Sequence, residues 1–283
     1  YSGQGEREII EMIIDSDMAT EEILQYLILS GDEAGGEAIG DEKITDEWIN
    51  SLAYSEDRHL RYLAAKAVDY HNRGDVLTPE TADKLSEDPL VHIRKKIAGH
   101  PAASPETLTK MANRLMKGEE KESRTIFLSN LLRNNNLPPN LIAPLIEWSK
   151  SRRPDGTIQK RPGFKDTLAP QAMEHAAKNP NTPSEVLGEI GNVFLLDSDV
   201  ETGYQSAILG ALANNEKTPE DTLLKLSKSK NQFHKQTAKR TLQRVRVAEK
   251  IADATAPVRE RTEKLANQTG MDSLRENFKR FLK

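Results

Sequence analysis

The sequence predicts an all-α protein, an irregular solenoid of stacked helical hairpins. Three observations lead there. A short phrase (a small polar residue, Pro, then an acidic or polar residue) recurs ahead of leucine-rich segments. Apolar residues within those segments fall at helical spacing. Leu, Ile and Ala carry the apolar content while aromatics are only 5%, which favours helices over sheets. The length of 283 residues admits one elongated domain or two compact ones. With 36% apolar and 30% charged residues, a thin stack fits better than a sphere, because each element of a stack has only one or two neighbours to pack against.

The phrase reads Leu77-Thr78-Pro79-Glu80, Ala103-Ser104-Pro105-Glu106, Leu137-Pro138-Pro139-Asn140, Asn181-Thr182-Pro183-Ser184 and Lys217-Thr218-Pro219-Glu220, with a first copy lacking Pro at Ile44-Thr45-Asp46-Glu47. Each is expected to start a helix. Thr or Ser at the N-cap accepts from free backbone N–H groups, Pro follows where no N–H is needed, and the acid faces the positive end of the helix dipole. An apolar stripe comes next, as in Leu108, Met111, Ala112 and Leu115, or Leu223, Leu224 and Leu226.

A second helix follows each first one and tends to end in Asn or His before the next phrase. Examples are Val91 to His100, Ile126 to Asn134, Ala172 to Asn179 and Ile208 to Asn215. The prolines that start successive units are 26, 34, 44 and 36 residues apart, in the range of helix-pair repeats carrying insertions. One pair cannot bury both its apolar faces, and a stack of five or six can.

The run from Leu85 to Leu108, with Asp88-Pro89, Ile93-Arg94, Ile97-Ala98 and Ser104-Pro105, resembles the leucine-rich-repeat-variant and HEAT-like families, and Lys178 to Ile190 repeats its second half. The resemblance covers roughly residues 44–245. It implies a helical solenoid used as a generic interaction scaffold. The Val-Arg core of the family pattern is clear once, at Ile93-Arg94.

Three segments depart from the repeat. Residues 1–42 are expected to form an acidic cap with helices over about 5–15 and 20–29, the second capped by Thr20, and an acidic linker from Gly31 to Gly40. An acidic docking segment for a basic partner is the alternative. Within the solenoid, assigned to 43–230, the insertion 149–165 carries Lys150, Arg152, Arg153, Lys160, Arg161 and Lys165 around one acid, Asp155. It reads as a solvated loop or as a contact loop for phosphate or an acidic protein surface. Residues 231–283 form a basic C-terminal part. A first amphipathic helix spans 232–254, with Phe233, Leu242, Val245, Ala248 and Ile251 toward one face, and breaks at Ala256-Pro257. A last helix carries Met271, Leu274, Phe278 and Leu282 at helical spacing, with Arg280 among its cations. That helix is a cap folded on the solenoid, a segment docking into a partner's groove, or a contact for an anionic membrane or nucleic acid.

The formal charge of −4 hides an asymmetry. Residues 1–60 hold sixteen acids and three bases, net −13, whereas residues 225–283 hold sixteen bases and six acids, net +10. Such polarity suggests polarised partners or contact between the two ends themselves.

No chemistry declares itself. Cysteine is absent, which removes thiol nucleophiles and disulfides and fits a reducing, cytoplasmic setting or a virion. No apolar run reaches the length of a membrane span. The first residue, Tyr1, reads as a processed or trimmed start. The six histidines lack ligand spacing, no phosphate or nucleotide motif appears, and no cofactor is expected. Trp48 and Trp148, with Arg94, Lys95, Lys96 and the basic insertion, leave a DNA-glycosylase-like enzyme built on HEAT-like repeats as a minor alternative. The expected function is a protein-interaction scaffold without catalysis, a subunit of a larger assembly such as a virion, with nucleic acid as the alternative partner through the basic loop and tail.

Overall fold

The computed structural model describes residues 8, 12–14, 16, 19–30, 38–39, 41, 43–67, 76–120, 124–151, 168–195 and 203–269, and for 257–269 essentially the backbone alone. Among them every regular element is a helix. After α1 (Glu21–Ser30) come six pairs: α2 (Asp46–Leu52) with α3 (Arg58–Lys66), α4 (Pro79–Ser86) with α5 (Val91–Ala98), α6 (Pro105–Lys117) with α7 (Arg124–Arg133), α8 (Pro139–Lys150) with α9 (Ala169–Lys178), α10 (Ser184–Leu195) with α11 (Gly203–Asn214), and α12 (Glu220–Leu226) with α13 (Gln232–Thr269).

Each helix packs on its partner. The second helices α3, α5, α7, α9, α11 and α13 lie side by side in one continuous layer, and the first helices build the other, with α4 on α6 on α8 and α10 on α12. One apolar cluster runs between the layers from Ala19 to Leu242, through Leu85, Ile93, Leu108, Phe127, Leu145, Leu187 and Leu212. The protein is an all-α solenoid of stacked hairpins. Each fully buried Leu or Ile in such a cluster contributes about 1.5–3 kcal/mol.

The early helix starts follow the expected pattern. The hydroxyls of Thr45, Thr78 and Ser104 accept from the backbone N–H of Trp48, Thr81 and Thr107, and Pro79 and Pro105 open their helices. Helix α6 ends at Gly118, whose φ of +81° is left-handed. Gly118→Ala is therefore expected to cost about 1 kcal/mol in a thermal melt.

The later starts differ from the expectation that every Thr caps a helix. Thr182 and Thr218 are buried, and their hydroxyls donate backwards to the carbonyls of Ala176 and Leu212. The residues preceding α10 and α12 are Pro183 and Pro219. The Thr-Pro pair thus sits one residue earlier than in the copies at 78 and 104. Proline's fixed φ suits both positions, so the motif alone cannot set the alignment.

A ladder of side chains sets it. Asn134 Nδ2 donates to the carbonyls of Ala98 and His100. Asn179 Nδ2 donates to those of Leu132 and Asn134, and Asn215 Nδ2 to those of Ala177 and Asn179. Each amide reaches the same two carbonyls of the pair before it. Each acceptor oxygen closes a turn by taking the N–H two residues on, at Asn136, Asn181 and Lys217; at the head of the series His100 Nδ1 does this for Ala102. The recurrent terminal Asn or His is this rung.

A second ladder runs at the other end of the second helices. Arg61 donates to the carbonyls of Ser55 and Glu56 and pairs with Asp88 of the next unit at 2.6 Å. Arg94 donates to the carbonyls of Asp88 and Pro89 and pairs with Glu120 of the next unit at 2.5 Å. Leu60-Arg61 is therefore a second copy of the Ile93-Arg94 core.

Two expectations need correction. Helix α13 runs through the predicted break at Ala256-Pro257. A proline inside a helix removes one hydrogen bond and costs about 3 kcal/mol, and the helix continues across it to Thr269. Second, the predicted apolar face of α13 is mostly solvent: Phe233 is 67% and Ile251 57% exposed, whereas His234, Ala238, Thr241 and Leu242 are buried. Among the described residues, burial against α11 and α12 is confined to the first three turns, beyond which only ion pairs such as Arg246 with Glu220 reach the preceding pair. Near the N-terminus, Ala38 and Ile39 from the expected acidic linker are buried in the core; the rest of that stretch and most of the helix expected over 5–15 lie outside the described residues.

Candidate interaction surfaces

The ladders hold the second-helix layer in register, and a furrow opens in it between α11 and α13. Its volume is about 1080 Å³. One face of α11 forms the floor: Gly203, Ala207, Gly210 and Ala211 recur at helical spacing and hold their side chains out of the way. The opposite wall is α13, with Phe233 at one end and Arg240 and Arg244 at the other; Lys178 of α9 closes the rim. The wall is cationic but partly countered. Arg244 lies 3.3 Å from Glu216, and Lys178 pairs with Glu174 at 2.5 Å.

A smaller apolar groove of about 330 Å³ lies in the first-helix layer between α8 and α10, over Met173, with Pro144, Ile190 and Val193 in its lining. Of the residues that the sequence singled out, Lys150 is at its edge, and its ammonium sits 2.7 Å from Glu147. Arg152, Arg153, Lys160, Arg161 and Lys165 lie outside the described residues, as do Met271, Leu274, Phe278, Arg280 and Leu282.

Of the charged stripe considered for DNA, the structure decides the place of Arg94. Arg94 is buried and its charge is met by Glu120, so it is no part of a basic groove with Lys95 and Lys96. Trp48 and Trp148 are half-buried against the core, on α2 and α8.

Four of the described histidines sit in defined surroundings, the fourth being His175 below. His92 meets Tyr62 edge-on at 5.2 Å, His100 heads the ladder, and His234 Nε2 lies 3.3 Å from Ser206. His71 lies outside the described residues. Among the described residues no three His, Asp or Glu side chains come together as a metal site.

Among the described residues His175 is the one strongly perturbed group. It is buried, and its Nδ1 accepts from Arg133 Nε at 3.2 Å, which places the proton on Nε2. Burial first, then the charge of Arg133, pull it down to about 4; Glu174 opposes this and Lys178 adds to it. The group is neutral when folded and protonates near 6.5 when unfolded, so its stabilisation is complete above pH 6.5 and is lost as pH falls toward 4. Urea unfolding at pH 7 and pH 5 should show wild type losing about 1–2 kcal/mol more than His175→Gln. Equal losses would remove His175 as the cause.

No protein-family model matches the chain, and no curated protein matches it. Solved structures do. An engineered protein from a structural genomics consortium is 18% identical, with 84% of this chain and 68% of that one covered and a TM-score of 0.41. A designed armadillo repeat protein is 17% identical, with 80% of this chain and all of that one covered and a TM-score of 0.28. Among the described residues no helix is long and apolar enough to cross a membrane.

Proposed function

We propose that this chain is a protein-interaction scaffold without catalysis, a structural subunit of a larger assembly such as a virion. It docks partners in the furrow between α11 and α13, with the basic segment 149–165 and the residues beyond α13 as further contacts. The furrow is the observation that carries this. It is an open trough in the second-helix layer, with a small-residue floor, an exposed aromatic at one end and cations along one wall. Those features suit a helix or peptide.

The cationic wall also favours a second reading, nucleic-acid binding. Binding of a fluorescent duplex and a single strand at rising salt separates the two. Because α13 covers α11 and α12, truncation at residue 230 would strip the last pair, so the comparison uses Arg240→Glu/Arg244→Glu in the full chain. The scaffold reading expects weak binding, indifferent to the substitutions. Tight binding that falls steeply with salt and is lost in the variant would make nucleic acid the partner.

A further inference from the structure

The furrow has a counterpart at the other end of the same chain. Helix α1 is apolar on two sides. Leu24 and Ile28 are fully buried and hold it to the body. Ile23, Tyr26 and Leu29 point away from that contact and are 39%, 72% and 57% exposed. They form one stripe at three-residue intervals, edged by Glu22, within a segment of net charge −13. An acidic helix with an uncovered apolar stripe is the shape and charge that the furrow lacks.

The dimensions agree. The ten residues of α1 span about 15 Å and the twelve of α11 about 18 Å at 1.5 Å per residue. Gly203, over which nothing lies within 4 Å, and Ala207 and Ala211 of the floor let a helix approach, while Gly210 is already covered by Phe233 and His234; Phe233 offers apolar contact, and Arg240 and Arg244 face the acidic edge. The two features cannot meet within one molecule. Four steps of the second-helix layer separate α3 from α11, roughly 30–40 Å at 8–10 Å per step.

We infer that the furrow between α11 and α13 receives helix α1 of a second copy of this chain, joining copies head to tail. This rests on the scaffold reading and names the partner of its main surface. The interface is heterologous: each copy uses one patch to give and another to receive, so the contact does not close on itself and chains grow beyond dimers unless the rotation forms a ring. Opposite net charges at the two ends speed encounter and fix polarity, and salt weakens the contact.

Sedimentation velocity of the full chain over a range of concentrations, at low and high salt, tests this. Mass should rise with concentration at low salt and fall back at high salt. Arg240→Glu/Arg244→Glu in the furrow and Glu22→Lys/Tyr26→Ala on α1 should each weaken association roughly tenfold or more, with helicity unchanged. Mixing the two variants gives the decisive reading. Each keeps one working half, so the mixture should form a one-to-one dimer and stop there. A wild type that stays monomeric at low salt overturns the inference and leaves the scaffold reading standing, as does association that either variant leaves intact. Loss through the furrow variant alone would assign the furrow to another segment and overturn the role of α1.

Discussion

Glu120→Ala should destabilise the protein by about 3–5 kcal/mol, the largest loss expected from any single substitution considered. Glu120 is fully buried, and its carboxylate takes both Nε and Nη2 of Arg94, at 3.0 and 2.5 Å. Arg114 Nη2 stands 3.4 Å away on the other side. Removing the carboxylate leaves the Arg94 guanidinium only the carbonyls of Asp88 and Pro89, which supply dipoles but no opposite charge. The pair need not be a large net stabiliser, because burying both ions already costs much of what their attraction returns. Arg94→Met/Glu120→Leu should therefore lose far less than Glu120→Ala alone. Urea midpoints of the three proteins decide it. If the double variant is as damaged as the single one, the cost comes from packing around Glu120 and not from a stranded charge.

Asn179→Asp should cost about 3 kcal/mol. The change is nearly isosteric, but Nδ2 is the group that donates to the carbonyls of Leu132 and Asn134, and a carboxylate oxygen in its place faces two acceptors in a buried site. The acceptor role toward Asn181 N–H survives. The loss should ease as the pH falls, because a protonated carboxyl can donate to one of the two carbonyls. The comparison is Asn181→Ala, whose amide donates to Asn135 at an exposed position and should cost well under 1 kcal/mol. Equal melts for Asn179→Asp and Asn181→Ala would show that the ladder does not hold the pairs together.

The same two sites show how much was legible beforehand. The sequence displayed Asn or His at the end of four of the second helices, and the recurrence was visible without its purpose. The purpose is a contact between residues 34 to 47 positions apart, which no local rule reports. Leu60-Arg61 went unread as a copy of Ile93-Arg94 because the spacing between them crosses a variable loop; the matching feature is the backbone carbonyls five and six residues earlier, which only a fold brings under the guanidinium. Lys150 proved to be ion-paired at the end of α8, while the furrow between α11 and α13 was not foreseen. Its signal was present in Gly203, Ala207, Gly210 and Ala211, small residues along one face, but such a stripe also occurs wherever two helices merely pack closely.

The sequence by itself determined the class of fold and the polarity of the chain. Caps, prolines and apolar periodicity act within a few residues of each other, so helices and their starts could be read directly, and charge could be counted along the chain. Only the tertiary structure decided which copies align, how far α13 is covered and where a groove opens. Those depend on which surfaces meet across the stack: a proline fits either of two adjacent cap positions, and Phe233 is core or solvent according to whether another helix lies over it.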